Sequence, residues 1–210
     1  MIAAVVLAAG VSSRMGRPKQ TLRLNGVPML ERVLGTFRKS SVGKVVVVLG
    51  ANAVEVMKRV KFADEAVVVN PKFAEGMSSS LRLGLGRVGP KADAVIIALG
   101  DQPFVLPVTI DKLVETYEQS GARIIIPTHR GARGHPVLFA RSVFPQIARI
   151  RGDKGAKSVV QKNATDVLEV EVPDRGVLVD IDTPSDLIEV RRRKSRAQAR
   201  RSPGRPYRAS

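Results

Sequence analysis

Arg14 and Lys19 sit in a stretch that contains no acid and begins at the end of an apolar run: Leu7-Ala8-Ala9-Gly10-Val11-Ser12-Ser13-Arg14-Met15-Gly16-Arg17-Pro18-Lys19. Small residues at 8–10 let the backbone approach a ligand closely, and successive free N–H groups make an anion-binding concavity. Two cations just beyond it suit the phosphates of a nucleotide. Leu7, Ala8, Ala9 and Gly10 are therefore candidate nucleotide contacts, with Arg14 and Lys19 as charge-stabilising groups. The spacing is neither G-x-x-x-x-G-K-[ST] nor G-x-G-x-x-G, which removes the P-loop and the dinucleotide fingerprint of NAD-dependent oxidoreductases.

Two acidic stretches could meet this loop. Gly100-Asp101-Gln102-Pro103 follows the apolar run Ala94–Leu99. A carboxylate at a strand's carboxyl end, across from a phosphate loop, is well placed for Mg²⁺, which takes one or two carboxylates and completes its octahedron with water and phosphate oxygens. The plainer alternative is that Asp101 caps the next turn. In Val179-Asp180-Ile181-Asp182-Thr183-Pro184-Ser185-Asp186-Leu187 an extended backbone would send Asp180 and Asp182 to the same side, towards one ion. Asp182 as a helix cap competes with that reading. Asn70-Pro71-Lys72-Phe73-Ala74-Glu75-Gly76-Met77-Ser78-Ser79-Ser80-Leu81 joins a strand to a helix. Asn70, Gly76, Ser78 and Ser79 there are candidates for a base edge, ribose or phosphate at a helix N-terminus, or simply for capping.

The first stretch resembles the L-A-A-G-x-S-x-R-M-G-x-x-K signature of the nucleotidyltransferases that share the molybdenum-cofactor transferase fold. The resemblance continues through Glu75-Gly76-Met77, Gly100-Asp101-Gln102-Pro103, Gly134-His135-Pro136-Val137-Leu138-Phe139, Arg151-Gly152-Asp153-Lys154-Gly155-Ala156 and Asp180–Leu187, in order from about Ile2 to Val190. It implies a nucleotide-diphospho-sugar-transferase-like fold and transfer of a nucleotidyl group with release of pyrophosphate. Mg²⁺, with Mn²⁺ as the alternative ion, would be held by Asp101 with Asp180 or Asp182. Ala8-Ala9 and Gly100–Pro103 resemble the cytidylyl branch. That branch implies CTP and molybdopterin as substrates, with Gln102 assisting at the base and a molybdoenzyme or its chaperone downstream. GTP with molybdopterin, or an NTP with a sugar phosphate, is the nearest alternative. His135, Pro136 and Asp153 fall on the acceptor-side elements. An anionic acceptor phosphate needs no general base, and none is evident.

The elements that would position these residues alternate. Strand candidates are Ile2–Leu7, Lys44–Leu49, Ala66–Val69, Ala94–Leu99 and Arg123–Pro127. Helical patterns at Pro28–Lys39, Ala53–Val60, Ser78–Arg87 and Pro107–Gln119 lie between them. Near-continuous apolar strands separated by helices predict an α/β three-layer sandwich with a mostly parallel, doubly wound (Rossmann-like) sheet and ligands at the strands' carboxyl ends. Further on, the pattern predicts strands at His135–Phe139, Val167–Val172 and Val177–Val179. Helices are expected at Arg141–Ile150, at Asp153–Gln161 with Asp153 as cap, and from Thr183 to Val190.

The 210 residues suit one core-forming domain, expected over 1–190. The absence of Cys removes disulfides and thiolate metal sites. Met1 leads directly into the first strand, with no charged leader, and no apolar run nears 18 residues, so a cytoplasmic, membrane-free protein is expected. The net charge of +16 is uneven: 191–210 holds nine Lys or Arg and no acid, leaving +7 for residues 1–190. That basic tail is expected to be disordered, either solvated or contacting nucleic acid. With aromatics at 4%, a nucleic-acid module built on stacking is disfavoured.

Overall fold

The computed structural model describes residues 1–188; the side chain of Arg14 and residues 189–210 lie outside the described residues, as therefore does the basic tail. In chain order the elements are β1 (Ile2–Ala8), the short β2 (Arg23–Leu24) and β3 (Val27–Pro28), α1 (Met29–Arg38), β4 (Lys44–Leu49), α2 (Ala53–Arg59) and β5 (Ala66–Val69). Then come α3 (Met77–Val88), β6 (Ala94–Leu99), α4 (Pro107–Ser120), β7 (Ile124–His129), β8 (Ala132–Arg133), β9 (Val137–Ala140), α5 (Phe144–Ala148), α6 (Lys157–Lys162) and β10 (Val167–Glu171).

The main sheet runs β10-β7-β9-β6-β1-β4-β5, with β8 paired to β7. It is mostly parallel, but β9 is antiparallel to both β6 and β7, so the sheet is mixed. The chain winds outward from β1 through β4 to β5, then returns to β1's other flank as β6. That reversal puts a crevice beyond the carboxyl ends of β1 and β6, where open α/β sheets bind ligands.

Both sheet faces are covered, which is why the strands read as unbroken apolar runs. Ala4, Val6, Val47, Leu49 and Ile96 pack with Leu30, Leu34 and Phe37 of α1 and Ile110 and Leu113 of α4. The alternate positions Ala3, Val5, Val46, Val48 and Val95 pack with Leu81 of α3, Ile147 of α5 and Val159 of α6. α3 sits so close that a Cβ on Gly84 would stand 2.5 Å from Val5 Cγ1.

Several elements depart from the expected pattern. Val177–Val179 forms no strand: Arg175–Leu178 is a 3₁₀ turn capped by Asp174, whose side chain accepts the Gly176 N–H at 2.8 Å. A Cβ on Gly176 would lie 2.2 Å from Phe104 O, so this turn packs against the chain entering α4 and leaves no room for a ladder. Asp153 caps no helix of its own, because α6 starts only at Lys157. The strand expected from His135 begins at Val137, after a cis His135-Pro136 bond. Residues 141–150 divide into a 3₁₀ turn and α5. The last helix is seen over 184–188, and its expected end at Val190 falls outside the described residues. Thr183, not Asp182, opens it: Thr183 Oγ1 accepts the Asp186 N–H at 3.3 Å while Asp186 Oδ2 accepts the N–H groups of Thr183 and Asp182.

Asp174 also closes α4 from a distance. Only 5% exposed, it accepts the Leu106 N–H at 2.8 Å and the Thr109 hydroxyl at 2.7 Å. Asp174→Ala would strand three donors, two of them buried, and is expected to cost about 3 kcal/mol of folding stability. Urea denaturation measures it, and a loss below 1 kcal/mol would mean that water replaces the carboxylate.

Candidate active site

β1 is flanked by β4 and β6, and both neighbours end in glycine because the loop leaving β1 needs the space. A Cβ on Gly50 would stand 2.4 Å from Ala9 O, and one on Gly100 would stand 2.9 Å from Ala8 Cβ. The loop turns through Ser12 (φ 59°) and Gly16 (φ 65°), then enters a 3₁₀ turn, Lys19–Thr21. A small third core fixes what comes next. Met15, Leu22, Leu24 and Met29 pack on Ile181 and Leu187, so the end of the described chain is clamped to the loop. The Ile181 N–H also donates to Asp101 O at 3.0 Å.

Packing therefore converges three distant segments on one point. Lys19 Nζ donates to Asp101 Oδ2 at 2.5 Å and to Asp182 Oδ1 at 2.8 Å. The Lys19 and Asp101 side chains are each only 17% exposed. Burial alone would lower the Lys19 pKa, but the two carboxylates outweigh it and hold the pKa above the ordinary lysine value, so the ammonium is charged at neutral pH. Asp101 Oδ1 is buried and has no hydrogen-bond partner among the described residues.

Beside this cluster opens a cleft of about 610 Å³. Of the residues singled out in the sequence, Leu7, Ala8, Ala9, Gly10, Lys19, Gly76, Gly100, Asp101 and Asp153 line it. Others do not. Asn70 Nδ2 donates to Ser79 Oγ at 2.8 Å and to Ser80 Oγ at 3.0 Å, and Ser79 Oγ donates to the carbonyls of Lys72 and Gly76. These side chains hold the strand-to-helix turn together. Ser78 is 1% exposed, and its N–H donates to Gly152 O at 3.2 Å. Gln102 and Pro136 line a separate small void. The backbone of Arg14 lies in the Ser13–Met15 turn, whereas its side chain lies outside the described residues.

The two members of the second acidic pair separate. Asp182 reaches Lys19, whereas Asp180 is exposed and its charge bears on His135. Burial lowers the His135 pKa against the opposing pull of Asp101 and Asp180. Its Nδ1 is buried without a partner among the described residues, and its backbone N–H donates to Val177 O.

Asp153, expected on the acceptor side, lies across the start of α3. Its Oδ1 accepts the Met77 N–H at 3.3 Å, and a Cβ on Gly76 would stand 2.7 Å from Gly152. The α3 N-terminus is thus covered by this chain's own 152–153 segment. Phe73, Glu75, Met77, Ser80 and Gln20, none of them a candidate contact in the sequence, also line the cleft. For Gln20 the available signal was its place directly after Lys19 in a turn.

The two carboxylates suit a divalent cation. They present hard oxygen donors to one point, one oxygen is buried and unsatisfied, and the described residues hold no cluster of three or more His, Cys, Asp or Glu that would make a closed site. No helix among the described residues is long and apolar enough to cross a membrane.

Known proteins share this architecture. Rv0371c from Mycobacterium tuberculosis H37Rv is 34% identical, matches 90% of this chain and 96% of its own, and superposes with a TM-score of 0.81. Its complex with manganese superposes at 0.77, covering 90% and 97% at 32% identity. Among curated proteins, nicotine blue oxidoreductase of Paenarthrobacter nicotinovorans is 31% identical, covering 87% of this chain and 92% of that protein. Molybdenum cofactor cytidylyltransferase of Escherichia coli K12 is 26% identical, covering 90% and 95%. The MobA-like NTP transferase domain matches residues 4–167, a span that contains most of β1, its loop, Lys19 and Asp101. On the strength of that span, the chain belongs to the MobA-like NTP transferase family of nucleotidyltransferases.

Proposed function

We propose that this protein transfers CMP from CTP to the terminal phosphate of molybdopterin and releases pyrophosphate, with Mg²⁺ as its working ion. The observation that carries the reading is the pair Asp101 and Asp182 sharing the Lys19 ammonium beside a cleft lined by the Leu7–Gly10 backbone. Asp101 and Asp182 would hold the ion, which when bound polarises the α-phosphate and offsets triphosphate charge. The chain's own groups do the rest. The Ala9–Val11 backbone cradles phosphate, and Lys19 turns from the carboxylates to the triphosphate and the departing pyrophosphate. The acceptor oxygen attacks the α-phosphorus as the bond to the β-phosphate breaks. That oxygen is already anionic, so no residue has to remove a proton. Catalysis is then chiefly positioning and charge stabilisation.

The choice of CTP is supported by Ala8-Ala9 in the lining of the cleft and by the resemblance to the Escherichia coli cytidylyltransferase. If the Ala8 and Ala9 side chains limit the room for a purine, Ala8→Gly with Ala9→Gly is expected to shift the CTP:GTP turnover ratio towards GTP. The shift should be modest, about 1–3 kcal/mol for such changes in an apolar pocket. Competition assays with both nucleotides measure it. An unchanged ratio would remove these methyls from base selection, and GTP preferred by the unmutated protein would move the assignment to a guanylyl transfer.

A further inference from the structure

Gln20 is 2% exposed, directly follows Lys19 and lines the cleft, yet its side chain is turned inward on the loop leaving β1. Nε2 donates to Ala8 O at 2.9 Å and to Gly10 O at 3.4 Å, and Oε1 accepts the Ser12 hydroxyl at 3.5 Å. The same Ser12 oxygen accepts the Lys19 N–H at 3.2 Å. One amide therefore ties the loop at three points to the turn that carries the ammonium.

The direction of those bonds matters. In a trans peptide the C=O and the following N–H point opposite ways. Holding the carbonyls of Ala8 and Gly10 towards Gln20 sends the N–H groups of Ala9 and Val11 away from it. Among the described residues, neither N–H has an acceptor. They are two backbone donors, fixed in direction and left for an anion. A loop of small residues with Gly10 at its centre would otherwise sample many conformations, and ordering it on binding would cost affinity.

We infer that Gln20 is a positioning residue for the nucleoside triphosphate: it touches no reacting atom, but it pre-forms the donor loop and sets Lys19 against it. This rests on the loop being the triphosphate site, as proposed above, but not on which base is bound.

The test uses the full chain, calorimetry with each of the four nucleoside triphosphates plus Mn²⁺, and no acceptor. Gln20→Met keeps length and removes both the donor and the acceptor. For the triphosphate that wild type binds most tightly, its Kd is expected to rise about tenfold at unchanged stoichiometry. A merely structural defect would instead lower the stoichiometry, as protein unfolds, with Kd unchanged. Ser12→Ala, at a half-buried position, removes the hydroxyl between Gln20 and the Lys19 N–H and should raise Kd about threefold, so the idea stays testable if Gln20→Met fails to fold. Gln20→Glu keeps the shape but sets a carboxylate against two carbonyls, and should bind more weakly than Gln20→Met. Kd within twofold of wild type in Gln20→Met, or in Ser12→Ala should Gln20→Met not fold, overturns the inference. Wild type that binds CTP no better than another triphosphate corrects the substrate reading and leaves this one standing. Wild type that binds none overturns both.

Discussion

Asp101→Asn is expected to fold normally and to lose roughly a thousandfold in nucleotidyl transfer, about 4 kcal/mol of transition-state stabilisation. The substitution is nearly isosteric and keeps an acceptor oxygen for Lys19, so the packing of β6 on β1 is untouched. What it removes is charge. With a neutral amide at 101, Asp182 alone faces the Lys19 ammonium, and an incoming divalent ion meets one anionic ligand instead of two. The buried Oδ1, which has no partner among the described residues, is the oxygen that the proposed ion would meet. Transfer assays across a Mn²⁺ titration measure the effect. Wild-type turnover by a folded Asp101→Asn protein would remove the ion from Asp101 and leave that residue a structural anchor for Lys19.

Asp101 could be found in the sequence because its signal is local: an acid placed where a buried apolar run ends. Lys44–Leu49 and Ala94–Leu99 were legible for the same reason, since strands covered on both faces carry no alternating pattern to misread. Asn70, Ser78 and Ser79 read two ways in the sequence because a hydroxyl or amide at a helix start looks alike whether it meets a ligand or its own backbone. Only the three-dimensional arrangement shows that the Asn70 amide and the Ser79 hydroxyl bond within the turn. Asp182 was ambiguous until Ile181 and Leu187 were seen packing on Met15 and Leu22, contacts between residues more than 150 positions apart. Val177–Val179 has strand composition, yet Gly176 against Phe104 leaves no room for a ladder. The hairpin of β2 and β3 has one local signal, Asn25-Gly26, both at positive φ. Two-residue arms give the hydrophobic pattern nothing to repeat.

Lys19→Met is expected to have two effects of opposite sign: transfer slower by about a hundredfold, from lost charge stabilisation of the triphosphate, and tighter binding of Mn²⁺ in the absence of nucleotide. The second follows from the geometry. Asp101 and Asp182 already share one ammonium at 2.5 and 2.8 Å, so a divalent ion placed between them would face that ammonium at close range in a half-buried setting. The ion can enter only as the ammonium leaves, and an ammonium leaving two carboxylates needs other anions. A triphosphate supplies them, so wild type should bind Mn²⁺ weakly alone and more tightly with nucleotide, and by linkage the nucleotide should gain as much from the ion. Lys19→Met, of similar reach and no charge, abolishes the competition and with it most of that coupling. Lys19→Arg keeps the charge and should keep weak Mn²⁺ binding, which separates charge from shape. Electron paramagnetic resonance of free Mn²⁺, with and without nucleotide, measures both quantities without requiring turnover. Equal Mn²⁺ affinity in wild type and a folded Lys19→Met protein would show that ammonium and ion do not share the carboxylates. Lys19 would then be a permanent strut between β6 and the segment carrying Asp182, and a different cation would have to meet the triphosphate.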